Sequence, residues 1–201
     1  MDSPSSIYLV ADAVRGEPLD LGGKTSPDGA VTLIFSDIEG STEMLERLGE
    51  SQWMEVVRQH NALIRSVVQS HDGTVVKSQG DGFMLAFSSA HTALYCAMEV
   101  ERALAVRPFS PSVEELNVRI GVHSGFVIAD ADDFYGRNVV LTARIADKAR
   151  GGEILVSDAV KQYTESDPSL DFEHRGEFRL KGLTGEHDLY AVPWEGVRAE
   201  S

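Results

Sequence analysis

Between Val31 and His123 the spacing of apolar residues changes character from one segment to the next, and that order of changes limits the fold more than any other feature. Val31 to Phe35 is a continuous, β-branched apolar run, as a buried strand requires. Ser36-Asp37-Ile38-Glu39-Gly40-Ser41-Thr42 is a turn rich in helix-starting residue types, and Thr42–Gly49 and Ser51–Gln69 follow with helical spacing (Trp53, Val56, Val57, Leu63, Ile64, Val67, Val68). Thr74–Ser78 and Phe83–Phe87 are short strands either side of Gln79-Gly80-Asp81-Gly82, and an Asp-Gly pair between apolar runs marks a hairpin. Ser89–Val106 is an amphipathic helix that Pro108 and Pro111 stop, and Asn117–His123 is a further strand.

Strand, helix, strand, strand, helix, strand is the ferredoxin-like order, βαββαβ, which predicts an α+β domain: an antiparallel sheet with its helices on one face. Beyond it the sequence predicts C-terminal αβ additions. These are a strand at Phe126–Ala129, a helix at Arg137–Lys148, a strand at Glu153–Val156, a helix at Asp158–Tyr163, and strands at Phe172–Leu180 and Asp188–Val192. The expected organisation is a leader over 1–29, with a small apolar patch at Ile7–Val14, then a domain over 30–194 and a tail over 195–201.

A net charge of −14 over 201 residues repels polyanions, so neither nucleic acid nor an anionic membrane surface is an expected partner. A single small anion remains possible where divalent cations mask the local charge. The lone cysteine, Cys96, rules out an internal disulfide framework, and the N-terminal apolar run is too short to span a bilayer. Both features suit a cytoplasmic protein. The six histidines are dispersed without zinc-like spacing.

Two carboxylates stand where chemistry could be done. Asp37 lies at the exit of the first strand and Asp81 at the tip of the central hairpin. In a ferredoxin-like sheet the first and third strands are neighbours, so these two turns approach each other. Their oxygens would make a hard site suited to Mg²⁺ or Mn²⁺. The turn from Ile38 to Thr42 would present backbone N–H groups to a phosphate tail, without the glycine–lysine pattern of a Walker loop. Taken singly, Asp37 reads as a helix cap and Asp81 as turn chemistry; only together do they suggest a centre.

Four stretches in register resemble the class III adenylate/guanylate cyclase catalytic domain: Phe35 to Thr42, Lys77-Ser78-Gln79-Gly80-Asp81, Arg119 to Gly125, and Asp133-Phe134-Tyr135-Gly136. The likeness runs from about Val31 to Val192 and looks nearest to compact actinobacterial, mycobacterial-type forms. It implies a head-to-tail homodimer with sites shared at the interface, ATP as substrate and two divalent ions per site. Asp37, Asp81 and the Ile38 carbonyl would hold the metals, with Phe35 and the residues Glu39, Gly40, Ser41 and Thr42 around the phosphates. The partner chain would supply Lys77 and Asp133 to read the base, while Arg144 would offset charge at the α-phosphate and Lys181 would bind the terminal phosphates. Lysine and aspartate suit adenine, donating to N1 and accepting from the exocyclic amine. Guanine presents the opposite pattern, and guanylate cyclases of the family carry glutamate and a smaller polar residue there.

One position departs from the family. An asparagine that holds the ribose usually precedes the arginine by four residues; here that position is Val140. Asn138 is the replacement within reach along the chain, but two residues along a helix is a rotation of about 200°. A slow cyclase is the expectation. A guanylate or promiscuous cyclase and a catalytically weak nucleotide-binding module are the alternatives.

Overall fold

The computed structural model describes residues 29–106, 109, 113, 115–130 and 133–195. The expected leader and tail, apart from Gly29 and Glu195, lie outside the described residues, as do Pro108, Pro111 and Asp132.

The first strand, β1 (Val31–Ile38), is followed by α1 (Ser41–Leu48) and α2 (Glu50–Ser70). The hairpin β2 (Thr74–Gln79) and β3 (Gly82–Phe87) leads to α3 (Ala90–Ala105) and β4 (Val118–Gly125). A short ribbon, β5 (Ile128–Asp130) and β6 (Asp133–Tyr135), precedes α4 (Arg137–Ala146) and β7 (Glu153–Ser157). The chain then forms α5 (Asp158–Thr164), β8 (Glu173–Phe178) and β9 (His187–Ala191). The main sheet runs β2-β3-β1-β4-β7-β9-β8.

The four strands β2-β3-β1-β4 are antiparallel, as the element order predicts, and β1 lies between β3 and β4. The extension makes the sheet mixed, because β7 pairs parallel to β4. The helices do not keep to one face. Alternate β1 residues Ile34 and Ile38 share a core with α2, α3 and Val160 of α5, while Val31, Leu33 and Phe35 pack on the opposite face with Ala146 and Ala143 of α4. Gly121 of β4 is what lets α4 lie so close, since a Cβ there would run into the backbone of Ala146. The element order alone could not place α4, which belongs to the additions rather than to the ferredoxin-like core.

The core under α3 contains one carboxyl. Glu101 is 2% exposed, its Oε1 has no hydrogen-bond partner among the described residues, and burial pushes its pKa from 4.5 up to about 8. The unfolded chain ionises this group near pH 4.5 while the folded chain keeps it protonated. Its stabilising contribution is therefore full below pH 4.5 and is lost at about 1.4 kcal/mol per pH unit as pH rises to about 8. Glu101→Gln is expected to remove that slope, so that urea titrations at pH 5, 7 and 8.5 show the variant gaining on the parent as pH rises.

Candidate active site

The register of the sheet brings the two acids together. Ser36 pairs with Phe83, so the hairpin tip two residues before Phe83 projects past the end of the β1–β3 ladder. Asp81 Oδ2 accepts a hydrogen bond from the Ile38 N–H at 3.1 Å, the amide that directly follows Asp37, and the Ser41 side chain at the start of α1 also stabilises the Asp81 carboxylate. The turn that carries Asp81 has Gly80 and Asp81 as its two central residues, with φ of 60° at Gly80. Glycine at the first central position is what such a two-residue loop requires, so Gly80 rather than the expected Asp-Gly pair makes the turn.

Both carboxylates are buried, Asp37 at 2% exposure and Asp81 at 6%. Burial pushes Asp37 up to about 6; the Asp81 and Asp147 charges add to the rise, and Arg119 opposes it. Burial likewise raises Asp81, against the backbone N–H groups of Asp81 and Ile38 and the Ser41 hydroxyl. The positive charge facing Asp37 comes from Arg119, its directly opposed neighbour on β4. Nε of Arg119 donates to Asp37 Oδ1 at 3.0 Å and Nη2 to Oδ2, a two-pronged pairing. No local spacing signals the Arg119 pairing; laying the first and fourth strands antiparallel is what sets it opposite Asp37.

Two desolvated acids sharing one guanidinium make a site with spare negative charge, and their all-oxygen donor set fits Mg²⁺ or Mn²⁺. Among the described residues no group of three or more metal-binding side chains assembles. The remaining coordination positions would fall to Ile38, between the two acids in space, and to water and phosphate.

The turn beyond β1 is shaped for close approach. Gly40 has φ of 68° and caps α1 without a side-chain hydrogen bond, and Thr42 is exposed beside it. Glu39 turns to the neighbouring loop, its N–H donating to the Asn117 carbonyl and its Oε1 accepting from the Gly151 N–H at 3.0 Å. Phe35 is a core residue packed with Phe134 and Ala146.

Lys77 and Asp133 form an ion pair, with side chains only 12% and 10% exposed. A β-bulge makes this possible. Val75 pairs with Leu85 but Lys77 pairs with Met84, so Val76 is the extra residue. Without it Lys77 would point to the α2 face; with it Lys77 shares the face of Met84 and meets Asp133 at the start of β6. Lys77 Nζ also stands 5.8 Å from the centre of the Tyr135 ring.

On α4, Arg144 donates from Nε to the Lys181 carbonyl at 2.9 Å and from Nη1 to Asp147 at 3.1 Å, which brings Arg144 and Lys181 into one group. Asn138 points inward: its Oδ1 lies 3.2 Å from His123 Nε2 and its Nδ2 donates to the Phe126 carbonyl at 2.7 Å. Val140, one turn before Arg144, is 43% exposed. Asn138 therefore ties α4 to β4, and the helix start is not slipped in a way that would turn it to the Val140 position.

Residues 24–193 match the family described as the Adenylate and Guanylate cyclase catalytic domain. The adenylate cyclase of Schizosaccharomyces pombe is 28% identical, with 78% of this chain and 12% of that protein covered. The protein Rv0891c of Mycobacterium tuberculosis is also 28% identical, with 73% of this chain and 48% of that protein covered. The chain spans less than half the length of these relatives. A solved adenylate cyclase of Trypanosoma brucei, described in its monomeric state, superposes with a TM-score of 0.77 at 26% identity over 87% of this chain and 94% of that one. CyaB of P. aeruginosa, an adenylyl cyclase, shares the fold with a TM-score of 0.74 at 22% identity over 85% of this chain and 95% of that one. With the family matched across most of its length and the fold in common, this chain belongs to the class III adenylate/guanylate cyclase catalytic domains.

Proposed function

We propose that the chain converts ATP to 3′,5′-cyclic AMP and pyrophosphate, at sites shared between two copies. The observation that carries this reading is the convergence of two buried carboxylates, Asp81 being bonded to the amide next to Asp37. Asp37, Asp81 and the Ile38 carbonyl would hold two Mg²⁺ or Mn²⁺ ions, which lower the pKa of the ribose 3′-hydroxyl and neutralise phosphate charge. Arg119, paired with Asp37 across the β1–β4 ladder, would keep one positive charge beside the cation site. Gly40, Ser41 and Thr42 offer backbone N–H groups to the same tail.

The partner copy contributes the rest. Lys77 donates to adenine N1 and Asp133 accepts from the exocyclic amine, the base entering where the two side chains now pair. Arg144 offsets charge at the α-phosphate and Lys181 at the terminal phosphates. The 3′-oxygen attacks the α-phosphorus in line, its proton passes to solvent, and pyrophosphate leaves with the electrons of the broken P–O bond. Positioning and charge neutralisation supply the acceleration.

Sharing between copies is supported by apolar side chains left open on the β5–β6 segment and the start of α4: Phe126, Ile128, Tyr135 and Val140, with the first two 68% and 66% exposed. Mixing tests it. Asp37→Asn and Arg144→Ala chains, each inactive alone, should regain about a quarter of parental activity at equal amounts, since half the dimers then carry one intact site in two. A mixture as inactive as its components would reject shared sites.

A slow enzyme is favoured by the Val140 position and by the engagement of Asn138 with His123. Val140→Asn is expected to raise kcat about 2- to 10-fold, the worth of one net hydrogen bond of about 0.5–1.5 kcal/mol. An unchanged or lower kcat would remove the missing ribose contact as the cause of slowness.

A further inference from the structure

The hairpin that carries Asp81 is exposed to one source of looseness. β2 is the edge strand of the sheet, so the tip is anchored by a ladder on one side only, through β3. The free side is met by two residues of α2 one helical turn apart. Arg65 Nη2 donates to Ser78 Oγ at 2.6 Å, with its guanidinium 5.5 Å from the centre of the Phe83 ring. Asn61 Nδ2 donates to the Gly80 carbonyl at 2.9 Å. Ser78 pairs with Phe83, and both face α2.

We infer that His60 and Asn61 of α2 are positioning residues for the metal centre, holding the Gly80–Asp81 peptide so that the Asp81 carboxylate is presented in a fixed orientation. This inference rests on the functional reading above. A trans peptide is rigid, so fixing the Gly80 carbonyl fixes the plane of the Asp81 N–H on its other edge. That N–H is one of the backbone donors that stabilise the charged Asp81 carboxylate. The grip of Asn61 is thereby passed through one planar unit to the carboxylate.

His60 sets the orientation of Asn61. It is wholly buried, its Nδ1 lies 3.0 Å from Asn61 Oδ1, and its ring rests 5.9 Å from that of Phe83. With Nδ2 of Asn61 committed to Gly80, Oδ1 must accept, so His60 carries its proton on Nδ1. Burial keeps the imidazole neutral, with its pKa lowered to about 4, and Nε2 has no partner among the described residues. A phenylalanine would fill this apolar site without a buried lone pair; what the histidine adds is the single N–H directed at Asn61.

The test is the parent chain with Asn61→Asp, which keeps the size but cannot donate to Gly80, alongside His60→Phe and the control Arg65→Ala. Mn²⁺ binding is read by electron paramagnetic resonance, and amide hydrogen exchange at Asp81 is read without metal. Asn61→Asp and His60→Phe are expected to weaken Mn²⁺ binding about 10- to 100-fold, as loss of a ligand's supporting contact does. They should also speed exchange at Asp81, and kcat at saturating Mn²⁺ should recover. Arg65→Ala, which frees Ser78 but not the peptide, should shift binding less. Folded Asn61→Asp protein with parental Mn²⁺ affinity and parental exchange overturns the inference even if His60→Phe fails to fold. A parent that binds no Mn²⁺ overturns the functional reading as well; one that binds, with both variants unchanged, overturns the inference alone.

Discussion

Asp37→Asn yields a folded chain that makes no measurable cyclic nucleotide. Asparagine keeps an oxygen that can accept from Arg119, so the cross-strand pairing that closes β1 on β4 survives in neutral form. What is lost is the formal charge that makes the site attractive to a divalent cation. The fall in turnover is expected to be at least on the order of 10²–10³, the cost of removing one group that stabilises charge in a transition state. Circular dichroism and a thermal melt establish folding, and product chromatography reads activity. Parental turnover in the folded variant would reject a metal role for Asp37.

Reversing the hydrogen-bonding sense of the Lys77–Asp133 pair has the second large effect. Lysine offers donors and aspartate acceptors, complementary to adenine at N1 and the exocyclic amine and mismatched to guanine at both positions. Each buried group left unpaired costs about 1–3 kcal/mol, so two mismatches amount to about 2–6 kcal/mol, or roughly 30-fold to 20,000-fold in discrimination. The double variant Lys77→Glu, Asp133→Ser is expected to lower the ratio of kcat/KM for ATP to that for GTP by at least about 30-fold. Because the parental pair is almost buried, the single and the double variants alike leave a charge without its partner and should lose stability, so folding is checked before the nucleotide ratio is read. An unchanged nucleotide ratio in a folded, active double variant would show that this pair does not read the base.

Much of this arrangement was visible in the residues, and the parts that were not have physical causes. The β1-to-α1 turn and the hairpin tip were legible because strand ends and tight turns depend on local chemistry: an apolar β-branched run before the first, and a Gly-Asp-Gly cluster between apolar runs at the second, though Gly80 and not the Asp-Gly pair takes the position of positive φ. The neighbouring places of β1 and β3 followed from the βαββαβ order. The bulge at Val76 was not legible. Val75-Val76-Lys77 reads as uniform strand, and only pairing with Leu85 and Met84 shows which residue is extra. That one residue decides which face Lys77 occupies. The resemblance singles out Asp133, but its place in a strand was not legible, because that strand forms only by pairing with β5. The packing of α4 on the second face depends on Gly121, whose missing side chain gives no signal of what approaches it. The inward turn of Asn138 depends on His123, a contact fifteen residues away that no helical spacing predicts.

The measurement that reaches the central claim most directly is product analysis of the purified chain supplied with ATP and Mn²⁺ across a range of protein concentrations. The predicted result is 3′,5′-cyclic AMP and pyrophosphate in equal amounts, with specific activity climbing as copies associate and vanishing when the cation is chelated. Absence of cyclic product from ATP and from GTP alike, at concentrations where the chain is a proven dimer with cation bound, would contradict it.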